Sequence, residues 1–227
     1  MTAKPVDDPV ARAAAAAALG HRERLPAGSA AALSDAVGGD PDGRVRAAAL
    51  GALARVGPPS RVVRAWSAAT GDADPSVRRR ACELAPVVAG RAPSAEVPAR
   101  LVTLLDDEEM TVVEAAAWAL GELGRTAEPV VAALAVHATD HADPLVREAA
   151  VAALGALGDR RGLAAVLTAC DDVPAVRRRA VLALAPFDGA PVNAALARAR
   201  TDRDWQVRQA AEDLVGGEPP TEPGGCP

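Results

Sequence analysis

The chain has 227 residues and a formal net charge of −5, and it is 50% hydrophobic but only 2% aromatic. The hydrophobic half is too large for a disordered chain, and the sequence contains no run of about 18 uncharged apolar residues that would predict a membrane span. Three widely spaced cysteines, Cys82, Cys170 and Cys226, form no CxxC pair. This pattern disfavours a disulfide framework and favours a reducing, cytoplasmic environment.

The main feature of the sequence is a segment that recurs along the chain. The copy that begins at Asp143 reads DPLVREAAVAALG. Successive copies lie 30 to 35 positions apart, a spacing typical of helical solenoids. Seven copies are recognised, beginning at Asp8, Asp42, Asp74, Glu109, Asp143, Val173 and Asp204.

Each copy is predicted to be a helix, because an aspartate at its first residue can cap free backbone N–H groups and a proline often follows. With the first residue of a copy counted as offset zero, apolar residues recur at offsets three, seven, ten and eleven, which form one helical stripe. The predicted unit is therefore a helix A, a short acidic loop and a helix B that contains the copy. The A helices are predicted over residues 30–37, 62–70, 99–105, 129–138, 163–170 and 192–200.

The predicted repeat array covers residues 8–215. Its last helix carries Glu212 and Asp213, so its outer face is polar, as a terminal repeat requires. Residues 1–7 and the Gly- and Pro-rich residues 216–227 are predicted to be disordered.

The phrases DPLVREAAVAALGALGD and DPSVRRRA, with a period of about 32 residues, closely resemble HEAT repeats. Within that class they are similar to the short HEAT-like type of phycobilisome lyases. The resemblance covers about residues 8 to 215 and implies an all-α fold, a right-handed α-solenoid of about six and a half stacked helix pairs. Tetratricopeptide repeats are disfavoured because their large Tyr and Phe packing residues are missing, and ankyrin repeats because no TPLH-like turn occurs.

The resemblance also implies a ladder of Asp–Arg pairs that ties one repeat to the next. We expect it to use the aspartate at offset zero and the arginine at offset four. Capping and charge-assisted hydrogen bonds explain this spacing without a ligand, so a structural role is favoured over a charged binding stripe. The predicted members are Asp8 and Arg12, Asp42 and Arg46, Asp74 and Arg78, Asp143 and Arg147, and Asp204 and Arg208.

Catalytic members of this repeat class are disfavoured by the residues present. A branch similar to deoxyhypusine hydroxylase places His-Glu pairs at offsets four and five, but no copy here has histidine at offset four. His137 and His141 have i,i+4 spacing, yet they lie at a loop entrance and are expected to be exposed polar residues. A branch resembling AlkD-type DNA glycosylases uses a basic groove, whereas this chain is acidic. We expect no catalytic residue, cofactor or metal, with a HEAT-like lyase, an oxidoreductase-associated protein or an AlkD-like DNA-binding protein as alternatives.

Function is expected where a copy departs from the pattern, and the copy from Glu109 departs most. Glu109 replaces aspartate, Met110 replaces proline and Val113 replaces the ladder arginine. Trp118 occupies offset nine of this copy. That offset points away from the predicted core stripe, toward the concave surface that the B helices are expected to form.

Trp118 is the centre of the predicted partner-binding site. Glu114 and Glu122 lie four residues before and after it, on the same helix face. A tryptophan ringed by carboxylates would suit a partner that offers Arg, Lys or an apolar anchor, although the indole could instead fill a gap between alanines. The complete predicted set is Arg79, Glu83, Glu114, Trp118, Glu122 and Glu148.

The sequence thus predicts a cytoplasmic, non-enzymatic scaffold that binds a protein or peptide partner, for example a basic one, on its concave face. Nucleic acid and membrane partners are disfavoured. The other two tryptophans, Trp66 and Trp205, are expected to be packing residues.

Overall fold

The computed structural model describes residues 8–216, so the predictions for residues 1–7 and 217–227 lie outside the described range. Within residues 8–216 the chain forms thirteen α-helices and one 3-10 helix, without a strand. This confirms the predicted all-α class. Gly216, which the sequence placed in the tail, is the last residue of the final helix.

The helices follow the predicted alternation of A and B. The B helices are α1 (Pro9–Leu19), α3 (Gly43–Val56), α5 (Pro75–Arg91), α7 (Met110–Leu123), α9 (Pro144–Leu157), α11 (Pro174–Ala183) and α13 (Trp205–Gly216). The A helices are α2 (Ser29–Gly39), α4 (Pro59–Ala69), α6 (Glu96–Leu104), α8 (Glu128–Asp140), α10 (Leu163–Ala169) and α12 (Ala190–Ala199), and a 3-10 helix (Arg160–Gly162) precedes α10.

The chain divides into two compact units between Val130 and Val131. In the first unit, α1, α3, α5 and α7 pack in succession, and α2, α4 and α6 pack beside them. In the second unit, α9, α11 and α13 pack in succession, with α10 and α12 beside them. Each unit is therefore a stack of helix pairs, the architecture of an α-solenoid.

The B helices begin as predicted. Five of those in the described residues start behind an aspartate whose carboxylate accepts a hydrogen bond, at 2.9 Å, from the backbone N–H two residues further on. These capping residues are Asp8, Asp42, Asp74, Asp143 and Asp204. Glu109 and Val173, which replace aspartate in the weaker copies, make no such side-chain cap.

The helices approach closely because small residues occupy the core positions. From the second copy onward, offset seven is a fully buried alanine in each copy, from Ala49 to Ala211. Offset eight is also buried from Ala16 to Val181, which the sequence analysis did not include in the stripe. Because Val181 packs against Val207 and Ala211 of the next B helix, offset eight faces the following repeat.

The Arg ladder exists, but its acidic members are other residues than those predicted. Arg46 donates from Nε and Nη2 to the two carboxylate oxygens of Asp72, at 2.8 and 2.7 Å, and from Nη1 to the carbonyl oxygen of Asp40 at 2.8 Å. The equivalent pairs are Arg12 with Asp40, Arg78 with Asp107, Arg147 with Asp172, and Arg177 with Asp202.

The assignment of Asp8, Asp42, Asp74, Asp143 and Asp204 to the ladder is therefore wrong. Their carboxylates point into the first turn of their own helices, where they cap backbone N–H groups. The carboxylate that binds each ladder arginine belongs to the loop before the next copy, one or two positions before the first residue of that copy. It also accepts from the backbone of that loop, as when the Asp74 N–H donates to Asp72 at 2.8 Å.

The ladder changes the acidity of its carboxyl groups. Burial raises the pKa of Asp72, but the hydrogen bonds from Arg46 and from the Asp74 backbone outweigh it and hold that pKa below its ordinary value. For Asp107, the hydrogen bonds from Arg78 are the main cause of a lowered pKa. The ladder carboxylates are therefore held in their charged form.

Two tryptophans that the sequence treated alike differ in the structure. Trp66 is fully buried, as predicted, and its Nε1–H donates to the carbonyl oxygen of Ala81 at 2.7 Å. Trp205 is 65% exposed, so its assignment as a packing residue is wrong. It is the first residue of α13, a position where other copies have residues such as Pro75 or Pro144, and its side chain projects outward from the helix start.

Candidate partner-binding site

Trp118 is presented on the outer side of α7. The opposite side of that helix is buried and carries Val112, Val113, Ala116 and Ala117. The indole is 46% exposed, so it is not enclosed between alanines. A large aromatic surface is thus available to solvent in the middle of the first unit's last B helix.

The exposed indole borders an open hollow of about 300 Å³ between α5 and α7. The hollow brings together four of the six residues that the sequence analysis proposed for the site. Its lining consists of Arg79 and Glu83 from α5 and Thr111, Glu114, Ala115 and Trp118 from α7.

The charges on the α5 side of the hollow are internally paired. Arg79 Nη1 lies 3.5 Å from a carboxylate oxygen of Glu83, and Arg80 Nη1 lies 2.8 Å from the other oxygen. Arg80 also lies against α3, where a Cβ at Gly51 would lie 3.2 Å from Arg80 Nη2. Arg80 was missed by the sequence analysis, although its i,i+3 spacing from Glu83 was a signal for the pair.

The carboxylates on the α7 side are unpaired. Glu114 and Glu122 form no ion pair or side-chain hydrogen bond with any residue in the range 8–216. Glu114 is half-buried in the hollow, and Glu122 is exposed one helical turn beyond the indole. Trp118 therefore stands between two carboxylates that have no counter-ion among the described residues.

The loop before α7 adds negative charge. Asp107 is engaged by Arg78 of the ladder, whereas the Glu108 side chain is 92% exposed and approaches Arg78 only to 3.9 Å. The loop before α7 therefore presents the exposed carboxylate of Glu108 to solvent.

Glu148, the remaining residue of the predicted set, is paired within the second unit. It lies on α9 in the second unit, where it accepts a hydrogen bond from Arg179 Nε at 3.3 Å. Its carboxylate is thus already paired, unlike those of Glu114 and Glu122.

The structure buries, fully or in part, the side chains of His137, His141, Cys82 and Cys170. The rings of His137 and His141 stack with their centroids 5.9 Å apart, and both side chains are half-buried rather than exposed as predicted. Burial raises the pKa of the Cys82 thiol to about 12 and that of Cys170 to about 11.

Within the described residues, no three His, Cys, Asp or Glu side chains gather in a group that could hold a metal ion. None of the helices there combines the length and apolar character required to cross a membrane.

Stacked helix pairs, aspartate-capped B helices and a bidentate Arg–Asp ladder define this chain as an α-solenoid repeat protein. Residues 63–140 and 131–216 match the sequence profile of HEAT repeats. These ranges cover more than half of the chain, which therefore belongs to the HEAT-repeat family.

Solved structures with the same fold include natural and designed repeat proteins. YibA of Escherichia coli is 18% identical with a TM-score of 0.69, covering 94% of this chain and 78% of its own. A designed armadillo repeat protein in complex with the peptide (KR)4 is 18% identical with a TM-score of 0.57, covering 82% of this chain and 97% of its own. At such identities the likeness shows the fold alone. No curated protein sequence matches this chain.

Proposed function

We propose that this protein is a non-enzymatic interaction scaffold that binds a protein or peptide partner at the hollow beside Trp118. The observation that carries the proposal is a half-exposed indole flanked by two unpaired carboxylates. Tryptophans in such positions are enriched among residues that dominate binding energy at protein interfaces.

The chemistry of the hollow favours a basic partner. Residues four apart on a helix lie about 6 Å from each other, so a cation above the Trp118 ring would be within reach of Glu114 and Glu122. Arginine fits best, because its planar group can stack on the indole while it donates two hydrogen bonds to a carboxylate. The designed armadillo relative, whose bound peptide alternates lysine and arginine, agrees with this choice as an analogy.

The paired side of the hollow sets the orientation of the partner. Glu83 is already neutralised by Arg79 and Arg80, so the free negative charge lies on α7 and on the loop before it. A basic side chain is therefore drawn to the α7 side, and Arg79 repels it from the α5 side.

The test is an affinity capture that compares the wild-type chain with Trp118→Ala. Leu182→Ala is the matched control, because Leu182 occupies the same repeat position in α11 and is also exposed. A partner that binds the wild type and the control but is lost with Trp118→Ala supports the proposal. Equal recovery with all three chains would remove Trp118 from the site.

The basic character of the partner is tested separately with the synthetic peptide (KR)4 as the probe. Binding is measured by calorimetry at low salt for the wild type, for Glu114→Gln and for Glu122→Gln. We expect each substitution to weaken binding about 3- to 10-fold, since it removes one carboxylate from beside the cation. Unchanged binding in both variants would contradict the basic-partner assignment while leaving the capture result to decide the site.

The proposed compartment is the cytosol. Cys82 and Cys170 are both unpaired thiols, and a protein that keeps its cysteines reduced suits a reducing compartment.

A further inference from the structure

The outer side of the last helix carries a second exposed surface, formed by Trp205, Arg208, Glu212 and Val215. We call it the terminal face. Arg208 and Glu212 stand at offsets four and eight, and Val215 stands at offset eleven. In the preceding repeat, offsets four and eight meet the next repeat: Arg177 at offset four reaches Asp202, and Val181 at offset eight packs against α13.

Arg208 is positioned like a ladder arginine, but no aspartate of residues 8–216 pairs with it. Its Nη1 donates to the carbonyl oxygens of Asp202 at 2.7 Å and Arg203 at 3.2 Å, as Nη1 of Arg147 does with its own loop. Its Nε and Nη2, which bind aspartate elsewhere in the ladder, have no carboxylate partner in residues 8–216. The guanidinium is thus held in place with its carboxylate-binding edge open.

The rest of the terminal face combines one charge with two apolar ends. Glu212 occupies the offset that is apolar and buried in the preceding copies, and it forms no ion pair within the described part of the chain. Trp205 is 65% exposed and Val215 is 45% exposed. A polar end cap accounts for Glu212, but it does not account for the two exposed apolar residues.

The four residues are arranged symmetrically along α13. Arg208 and Glu212 lie two positions before and after Ala210, and Trp205 and Val215 lie five positions before and after it. The spacing of three, four and three residues places all four on one helical stripe. When such a stripe packs antiparallel against itself, each residue meets the one at the mirror position, as in antiparallel helix pairs.

We propose that the terminal face binds the same face of a second copy of this chain, forming a two-fold symmetric dimer. Each Arg208 then meets Glu212 of the other copy, and each Trp205 covers Val215 of the other copy. The surface is complementary to itself in charge and in apolar contact, which is the requirement for an isologous interface. The stripe extends over about 15 Å of helix, so the interface is small and the expected dissociation constant is about 10 to 100 µM.

Charge exchange tests this pairing. Sedimentation velocity of the full chain at about 5 to 500 µM should show a reversible monomer–dimer equilibrium. Arg208→Glu and Glu212→Arg each place like charges opposite each other twice, so each should raise the dissociation constant at least about 10-fold. The double variant Arg208→Glu/Glu212→Arg restores both pairs with reversed polarity and should return the constant to within about 3-fold of wild type.

Asp213→Arg is the matched control. It changes the charge of the same helix by the same amount, but Asp213 lies off the stripe, where it accepts a hydrogen bond from Gln209. It should leave the dimer unchanged, and the fold of every variant is to be checked by circular dichroism. The proposal is overturned if the wild type stays monomeric at 500 µM or if the double variant does not recover.

Discussion

Replacing Asp72 with asparagine tests whether the ladder holds neighbouring repeats together. The substitution preserves the size of the side chain but removes the charge that receives two hydrogen bonds from Arg46. The new amide offers only one acceptor oxygen, and its NH₂ group would face the donors of the guanidinium. Arg46 would then be left in a largely buried position without a full counter-ion.

The size of the effect follows from burial. Removing one partner of a buried ion pair costs about 3 to 5 kcal/mol, whereas an exposed pair contributes at most about 1 kcal/mol. The side chains of Arg46 and Asp72 are 14% and 12% exposed. Because this burial is incomplete, we expect Asp72→Asn to lower the free energy of unfolding by about 2 to 3 kcal/mol.

Asp188→Asn provides the matched control. Asp188 forms an equally short ion pair, 2.8 Å from Arg160, but the two side chains are 90% and 70% exposed. Its loss should change the free energy of unfolding by no more than about 0.5 kcal/mol. Urea unfolding followed by far-ultraviolet circular dichroism measures both variants, with an expected midpoint shift of about 1 M for Asp72→Asn alone. Similar midpoints for the two variants would refute the argument that burial of the ladder determines its contribution.

Three further predictions concern acidity, close packing and a buried hydrogen bond. The pKa of Asp72 is lowered in the folded state, so its carboxylate stabilises the fold fully above the unfolded pKa of about 3.9. That stabilisation is lost as the pH falls through the folded pKa. The difference in the free energy of unfolding between wild type and Asp72→Asn, measured from pH 7 to pH 3, should therefore become smaller as the pH falls. Gly155→Ala should lower the free energy of unfolding by about 1 to 3 kcal/mol in urea titrations, because its Cβ would lie 2.6 Å from Ala183 Cβ on α11. The control is Gly90→Ala, whose Cβ would meet nothing within 4 Å, and it should leave stability unchanged or raise it slightly. Trp66→Phe removes the 2.7 Å hydrogen bond to a main-chain carbonyl and part of a buried side chain, so thermal melts should show a loss of about 1 to 3 kcal/mol, and an unchanged melt would contradict its role in the core.

Much of the fold could be predicted because five of the seven B helices in residues 8–216 carry their own aspartate start signal, and the copies share an apolar stripe. Asp74 followed by Pro75 marks the start of α5, and the structure places the cap there. Offset eight was not predicted because residues as different as Leu50, Cys82 and Glu212 occupy it. Its burial depends on whether another repeat follows, which is a property of the stack and not of the local sequence.

The ladder was predicted in kind but not in detail. The spacing of Asp42 and Arg46 suggested a pair, yet the carboxylate that binds Arg46 comes from Asp72, 26 residues later. An aspartate that caps a helix and an aspartate that binds the next arginine occur in the same short acidic loops. Periodicity alone does not tell which of them points toward the neighbouring repeat.

The candidate site shows the same division between local and tertiary information. Glu114 and Trp118 share a helix face by spacing alone, and the structure places both at the hollow. Which charged side chains form ion pairs depends on packing between helices, which spacing does not reveal. Arg80, which pairs with Glu83, was therefore missed, and Glu148 was included although it forms an ion pair with Arg179. Deviation from the repeat consensus was the signal that led to this candidate site.

The contrasting surroundings of the three tryptophans make this chain its own optical reporter. Because the sequence contains no tyrosine, near-ultraviolet emission comes from the indoles alone. Trp66 is enclosed in the first unit's core, Trp118 stands at the candidate site and Trp205 stands on the terminal face. Chains that retain one indole, with phenylalanine at the other two positions, would follow unfolding, ligand binding and self-association as three separate fluorescence signals from an otherwise unlabelled protein.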